Sequence, residues 1–154
     1  MPKAKKKLRV LFLCTANSCR SQIAEGWARH LIAGAVEPYS AGTRPGTLDP
    51  RAVRVMAEAG IDISGRRAKG MDEFKDVAFD YVVTLCDPAA EQCPRFPGRT
   101  KVVHRSFEDP PRLARDAKSE EEALTHYRRI RDEIRDFVSR LPEGLPRAQE
   151  GRRS

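Results

Sequence analysis

Leu8-Arg-Val-Leu-Phe-Leu-Cys14-Thr-Ala-Asn-Ser-Cys-Arg-Ser21 is the stretch from which the fold of this chain can be read. Val10 to Leu13 is a continuous apolar run, the pattern of a parallel strand covered on both faces. From Ser21 the period changes: Ile23, Trp27 and Leu31 recur every four residues, share one helix face, and stop near Gly34. A strand, a short loop and a helix in that order open an α/β unit.

The loop itself carries chemistry. It begins at Cys14, has Arg20 six residues later and opens a helix at Ser21. Such a loop aims backbone N–H groups at one point, and the helix dipole adds positive potential there. Both effects favour a thiolate at Cys14 with an anion beside it. Arg20, always charged, can bridge two oxygens of a tetrahedral oxyanion. Ser21 can donate to the thiolate, and Asn17 tolerates the left-handed backbone that a tight loop tends to need. Thr15, Ala16, Asn17, Ser18, Cys19, Arg20 and Ser21 are therefore the candidate oxyanion-binding residues. The plain alternative is a buried cysteine at a strand end with an unrelated arginine nearby.

Outward from the loop, Val36 to Ser40 forms a second short strand closed by Ala41-Gly42, and a Pro/Gly loop runs to Pro50. Ala52 to Ala59 has helical spacing and ends at Gly60, while Met71 to Val77 reads as a short helix with an acidic start. Phe79 to Leu85 is rich in β-formers and ends on Cys86, so two strands each deliver a cysteine at their carboxyl ends. Ligand sites of open parallel sheets lie at that edge, and Cys14 and Cys86 are expected to face one crevice. Pro88 to Pro97 is a proline-punctuated loop containing Cys93, and Lys101 to His104 is a fourth strand. Ser119-Glu-Glu-Glu122 is a capping-box start for a long helix whose apolar face is Leu124, Tyr127, Ile130, Ile134, Phe137, Val138 and Leu141. The division expected is a basic lead at 1–7, one domain over 8–141, and a disordered tail over 142–154.

Composition narrows the function. The 154 residues suffice for one core, and no apolar run reaches the length that crosses a bilayer. The basic start followed by apolar residues resembles a secretory leader, but Arg9 interrupts the run and Leu13 is too large for a processing site. A cytoplasmic protein without membrane contact is expected. The net charge of +7 is spread among interleaved acids, and aromatics make up 6%, too few for a single-strand stacking platform. An anionic small substrate or an acidic protein partner fits better than nucleic acid. Four cysteines allow three pairings, yet structural disulfides are rare in a reducing cytoplasm. Neither the Cys14–Cys19 nor the Cys86–Cys93 spacing matches zinc ligation, so neither a metal nor another cofactor is expected.

Cys14-Thr-Ala-Asn-Ser-Cys-Arg-Ser21, followed by Gln22-Ile-Ala-Glu-Gly-Trp27, resembles the opening of the low-molecular-weight tyrosine phosphatase fold. More narrowly it is similar to the thioredoxin-coupled arsenate reductases built on that fold. The resemblance continues through Tyr39 to Gly42, Ile61 to Ser64, Val82 to Cys86, Cys93-Pro94, Phe107 to Pro110 and Arg131 to Ile134. It implies a three-layer α/β/α domain around a four-stranded parallel sheet.

Cys86 and Cys93 separate the two branches. A phosphatase needs one nucleophile, one arginine and one acid, whereas a reductase must supply two electrons through further thiols. By this resemblance Cys14 attacks arsenate, Cys86 and then Cys93 pass the disulfide on, thioredoxin reduces it, and Asp109 before Pro110 is the general acid. Glu108 competes for that role if the register slips by one. The relay requires the Pro88 to Pro97 loop to move. Cys19 stays outside it as a small buried residue.

Two departures from relatives stand out. Many have Gly where this chain has Ala16, and some bind a monovalent cation through residues matching Asn17, Glu25 and Ser40. Lys69 falls about where an acidic ligand of that cation belongs, so its ammonium is expected to replace it and potassium dependence is not expected. The rival functions are a tyrosine phosphatase with Cys86 and Cys93 idle, and a phosphate-recognising regulator that turns nothing over.

Overall fold

A computed structural model describes residues 6–86 and 100–145 of the chain. Cys93 and the rest of the Pro88 to Pro97 loop lie outside them, as do 1–5 of the basic lead and 146–154 of the expected tail. The order is β1 (Leu8–Cys14), α1 (Arg20–Leu31), β2 (Val36–Gly42), α2 (Pro50–Glu58), a 3-10 turn (Met71–Phe74), β3 (Tyr81–Thr84), β4 (Lys101–His104), α3 (Pro110–Leu113), a second 3-10 turn (Ala114–Asp116) and α4 (Glu120–Ser139).

The four strands form one parallel sheet in the order β2-β1-β3-β4. The chain leaves β2 at one edge and re-enters at β3 on the far side of β1. That reversal opens a crevice at the carboxyl ends of β1 and β3. Register places Cys14 opposite Gly42 and Leu13 opposite Thr84.

β1 alternates its burial between two layers, as a central strand must. Val10 and Phe12 pack with Ile23, Ala24 and Trp27 of α1, Val55 and Met56 of α2, and the apolar face of α4. Leu11 and Leu13 pack on the opposite side with Phe79 and Val82, covered by Met71, Phe74 and Tyr39. Trp27 Nε1 donates to the Arg131 carbonyl at 3.1 Å and ties α1 to α4. The α/β architecture expected from the sequence is present, with helical cover on one face and a single 3-10 turn on the other among the described residues.

Several local expectations shift. Arg20 through Ala28 are all buried, but Leu31 is 42% exposed because the last turn of α1 runs past the layer beneath it. At the start of α4, Ser119 accepts the Glu122 N–H at 3.0 Å, while the Glu122 carboxylate reaches back one residue further, to the Lys118 N–H. Chain packing also continues beyond Leu141, with Leu145 buried in the main core.

Candidate active site

The loop from Cys14 to Arg20 is held from outside by its own carbonyls. Those of Thr15, Ala16 and Ser18 accept N–H donors from Arg44 (2.9 Å), Gly46 (3.0 Å) and Asp49 (2.9 Å), and that of Asn17 accepts from Gln22 Nε2 at 3.1 Å. In a trans peptide the following N–H points the opposite way. The amides of Ala16, Asn17, Ser18 and Cys19 are thereby turned away from these donors and toward the cleft. Cys19 caps α1 without a side-chain hydrogen bond, so the cap side chain does not satisfy the first-turn amides.

The interior of the loop fixes a direction of donation. Asn17 sits at φ 52°, the left-handed conformation its residue type admits. Its Nδ2 donates to Ser21 Oγ at 2.7 Å, and Ser21 Oγ lies 2.9 Å from Cys14 Sγ. Since Ser21 accepts from Asn17, its own proton is available to the sulfur. Ala16 is accommodated without a positive φ, so its Cβ imposes no backbone strain. Gly42 opposite Cys14 has no such latitude. A Cβ there would stand 2.5 Å from the Thr15 carbonyl and 2.8 Å from the Asn17 nitrogen.

Arg20 is 4% exposed, and its Nη1 donates to the carbonyls of Phe107 at 3.0 Å and Leu85 at 3.5 Å. Its Nη2 stands 3.6 Å from Asp109 Oδ1. Asp109 is the N-cap residue of α3 but makes no side-chain cap bond there. Glu108 instead pairs with Arg129 at 2.9 Å on the surface. Cys14, Thr15, Ala16, Ser18, Cys19, Arg20, Asp109 and Pro111 line one cleft of about 390 Å³. It can hold a small oxyanion against amides and a guanidinium, with a nucleophilic sulfur at its floor and a carboxyl at its rim.

Cys19 is a free, buried thiol. Burial pushes its ionisation well above the ordinary cysteine range, the Asp49 and Asp109 carboxylates add to that, and Arg20 opposes it. Cys14 is free too, whereas Cys86, buried two residues past the end of β3, is disulfide-bonded. Among the described residues no group of three or more His, Cys, Asp or Glu could hold a metal, and no helix is long and apolar enough to cross a membrane.

Lys69 is not the group that meets Glu25. The buried Glu25 carboxylate takes Ser40 Oγ at 2.5 Å on one oxygen, and Arg29 at 2.9 Å together with Arg66 on the other. Lys69 Nζ goes to the Arg67 carbonyl at 3.0 Å, and its backbone N–H donates to Asn17 Oδ1 at 2.8 Å. The displacement has a simple cause: a guanidinium fork reaches a buried carboxylate and neutralises it.

Three supporting groups escape a reading of the sequence. Gln22 Nε2 bridges Asn17 and the Arg67 carbonyl (2.9 Å). The 44–49 segment supplies the outer donors. Asp49, which caps α2, accepts the Tyr127 hydroxyl at 2.6 Å and so links α4 to the loop. A polar residue amid the buried face of α1 was the one available signal.

A family model described as low molecular weight phosphotyrosine protein phosphatase matches residues 9–150. An arsenate reductase of Bacillus licheniformis is 43% identical over 137 residues, 89% of this chain and 96% of that protein. The low molecular weight protein tyrosine phosphatase of T. tengcongensis superposes with TM-score 0.67 at 28% identity, over 90% of this chain and 100% of its own. A thioredoxin-dependent arsenate reductase of Corynebacterium glutamicum gives TM-score 0.60 at 27% identity, over 88% of this chain and 62% of its own.

Proposed function

The chain belongs to the low molecular weight phosphotyrosine protein phosphatase family, and on that premise we propose that it reduces arsenate to arsenite through three cysteines recycled by thioredoxin. The fold is common to phosphatases and reductases and does not choose between them. What supports the reductase is a second thiol position at the end of the strand beside the nucleophile: Cys86 is oxidised while Cys14 is a free thiol. The arsenate reductases among its relatives point the same way.

In this reading the Cys14 thiolate attacks arsenic while Arg20 and the loop amides hold the oxygens. Asp109 protonates the departing oxygen, which leaves as water. Cys86 thiolate then attacks Cys14 Sγ; the S–As bond breaks, its electron pair stays on arsenic, and arsenite departs. Cys93 thiolate attacks Cys86, forming a Cys86–Cys93 disulfide and freeing Cys14. The dithiol of thioredoxin reduces that bond, supplying the two electrons the product carries away. The setting is the cytoplasm, where such a dithiol is kept reduced, and neither nucleic acid nor membrane is a partner. Among the described residues the cleft lining holds no aromatic side chain to grip a phenyl ring.

The test is arsenate-dependent NADPH oxidation coupled through thioredoxin and its reductase. Wild type turns over, whereas Cys86→Ser and Cys93→Ser stop after at most one cycle. Wild-type turnover by both variants excludes the relay.

A further inference from the structure

A second recess, of about 400 Å³, is walled by Arg29, Tyr39, Arg66, Arg67, Lys69 and Phe74, with Glu25 at its base. Its charge is one-sided. The four cations face Glu25 and Glu73, and both carboxylates are already engaged, Glu25 by Arg29 and Arg66, Glu73 by both terminal nitrogens of Arg67 at 2.8 and 2.5 Å. Arg66 uses only Nη1 on Glu25 among its described contacts. Lys69 Nζ has the Arg67 carbonyl and no carboxylate within ion-pair distance among the described residues. Burial holds the Lys69 ammonium below the usual lysine range, and the Arg66 and Arg67 charges add to this against Glu25. Tyr39 and Phe74 meet edge to face at 5.3 Å and give the recess an apolar wall.

Two uncompensated positive charges in a recess of this size suit a small dianion. We propose that it binds a doubly charged tetrahedral oxyanion, free or carried on a small organic group as a phosphomonoester, with Lys69 Nζ and the unused edge of Arg66 as donors. This site is separate from the Cys14 cleft and stands whether or not the chain reduces arsenate. It is also connected to that cleft. The Arg67 carbonyl accepts from Gln22, the Lys69 N–H braces Asn17, and the Lys69 carbonyl accepts the Gly42 N–H at 2.8 Å. An occupant that holds Lys69 steadies the segment on which the nucleophile's loop leans.

Inorganic phosphate added to the reduced full-length chain, followed by equilibrium dialysis and amide chemical shifts, tests the proposal. Two phosphates per chain are expected, with the amides of Gly65 to Lys69 following a different isotherm from those of Thr15 to Ser21. Lys69→Gln should weaken the second isotherm about tenfold more than the first, the size of one lost charge-assisted bond. Arg20→Met should do the reverse. Repeating the titration with phenylphosphonate identifies the source: tighter binding at the second site means an ester-like occupant, weaker binding a free ion. One phosphate per chain, with both groups of amides on a single isotherm, overturns the proposal. So does a Lys69→Gln variant whose isotherms are unaltered.

Discussion

The Asn17 carboxamide donates to the Ser21 hydroxyl at 2.7 Å, and this single contact decides where the Ser21 proton goes. With one lone pair of Oγ taken, the hydroxyl is oriented to donate to Cys14 Sγ, 2.9 Å away. Asn17 thus acts on the sulfur without touching it, through a donor it positions.

Separating the backbone from the side chain of Asn17 follows from this. Asn17→Ala loses the carboxamide and also places an alanine at φ 52°, a cost of about 1–2 kcal/mol. Asn17→Gly loses only the carboxamide. Both should slow arsenate turnover, and only Asn17→Ala should also lower the midpoint of urea unfolding appreciably. Equal midpoints would mean that the left-handed backbone is not strained in alanine's hands.

Gly42→Ala should be among the most damaging single-methyl changes in the protein. Its Cβ meets loop backbone at 2.5 Å, and backbone yields less easily than a side-chain tip, so a loss of about 1–3 kcal/mol or more is expected. The specific readout is thermal protection by phosphate, which should shrink much further in this variant than in a surface substitution of equal stability.

Asp109→Asn should cut arsenate turnover about 10²-fold or more, the usual scale for a positioned acid. Substrate binding should be kept, because Arg20 retains its carbonyl partners at Phe107 and Leu85. Glu108→Gln should have no comparable effect, since that carboxylate pairs with Arg129 away from the cleft.

Alkaline pH should loosen the fold through two groups. Cys19 and Tyr127 both have their ionisation pushed up, chiefly by burial. In each case the folded protein keeps a proton that the unfolded chain gives up. Their contribution is intact below the unfolded values, 9.0 for Cys19 and 10.0 for Tyr127, and is lost as pH climbs beyond them. The slope is about 1.4 kcal/mol per pH unit for each titrating group. Urea unfolding across this range should show the decline, and Cys19→Ala should flatten its first part.

Potassium should not stabilise this protein over sodium at equal ionic strength, with melting temperatures agreeing within about 1 °C. Glu25 already has Ser40, Arg29 and Arg66. Arg66→Ala weakens that neutralisation of a buried carboxylate, a change worth about 3 kcal/mol. It should lower the melting temperature sharply and leave a residue of that loss recoverable by added cations.

Local signals carried much of the fold. The apolar run of β1, the change of period at Ser21 and the apolar face of α4 each lie within one segment, and each element formed where its pattern placed it. Leu31 shows the limit, because periodicity names a face but not how far the layer beneath it extends. The candidate site divides the same way. Cys14, Asn17, Arg20 and Ser21 fall within one loop and were legible from residue type and spacing. The link from Tyr127 to Asp49 spans 78 positions, and the choice of Arg66 over Lys69 for Glu25 depends on side-chain reach across 41. Nothing local announces either, since both are set by which strands and helices pack together.

Arg20 rests on the Leu85 carbonyl, one peptide bond before Cys86. On the proposed relay, the residue that would clamp the substrate is therefore in mechanical touch with the residue that would hand on its electrons. If Cys86 must swing toward the pocket to relieve Cys14, it disturbs the clamp as it comes. On the proposed relay, grip on the oxyanion would then loosen in the same step that releases arsenite.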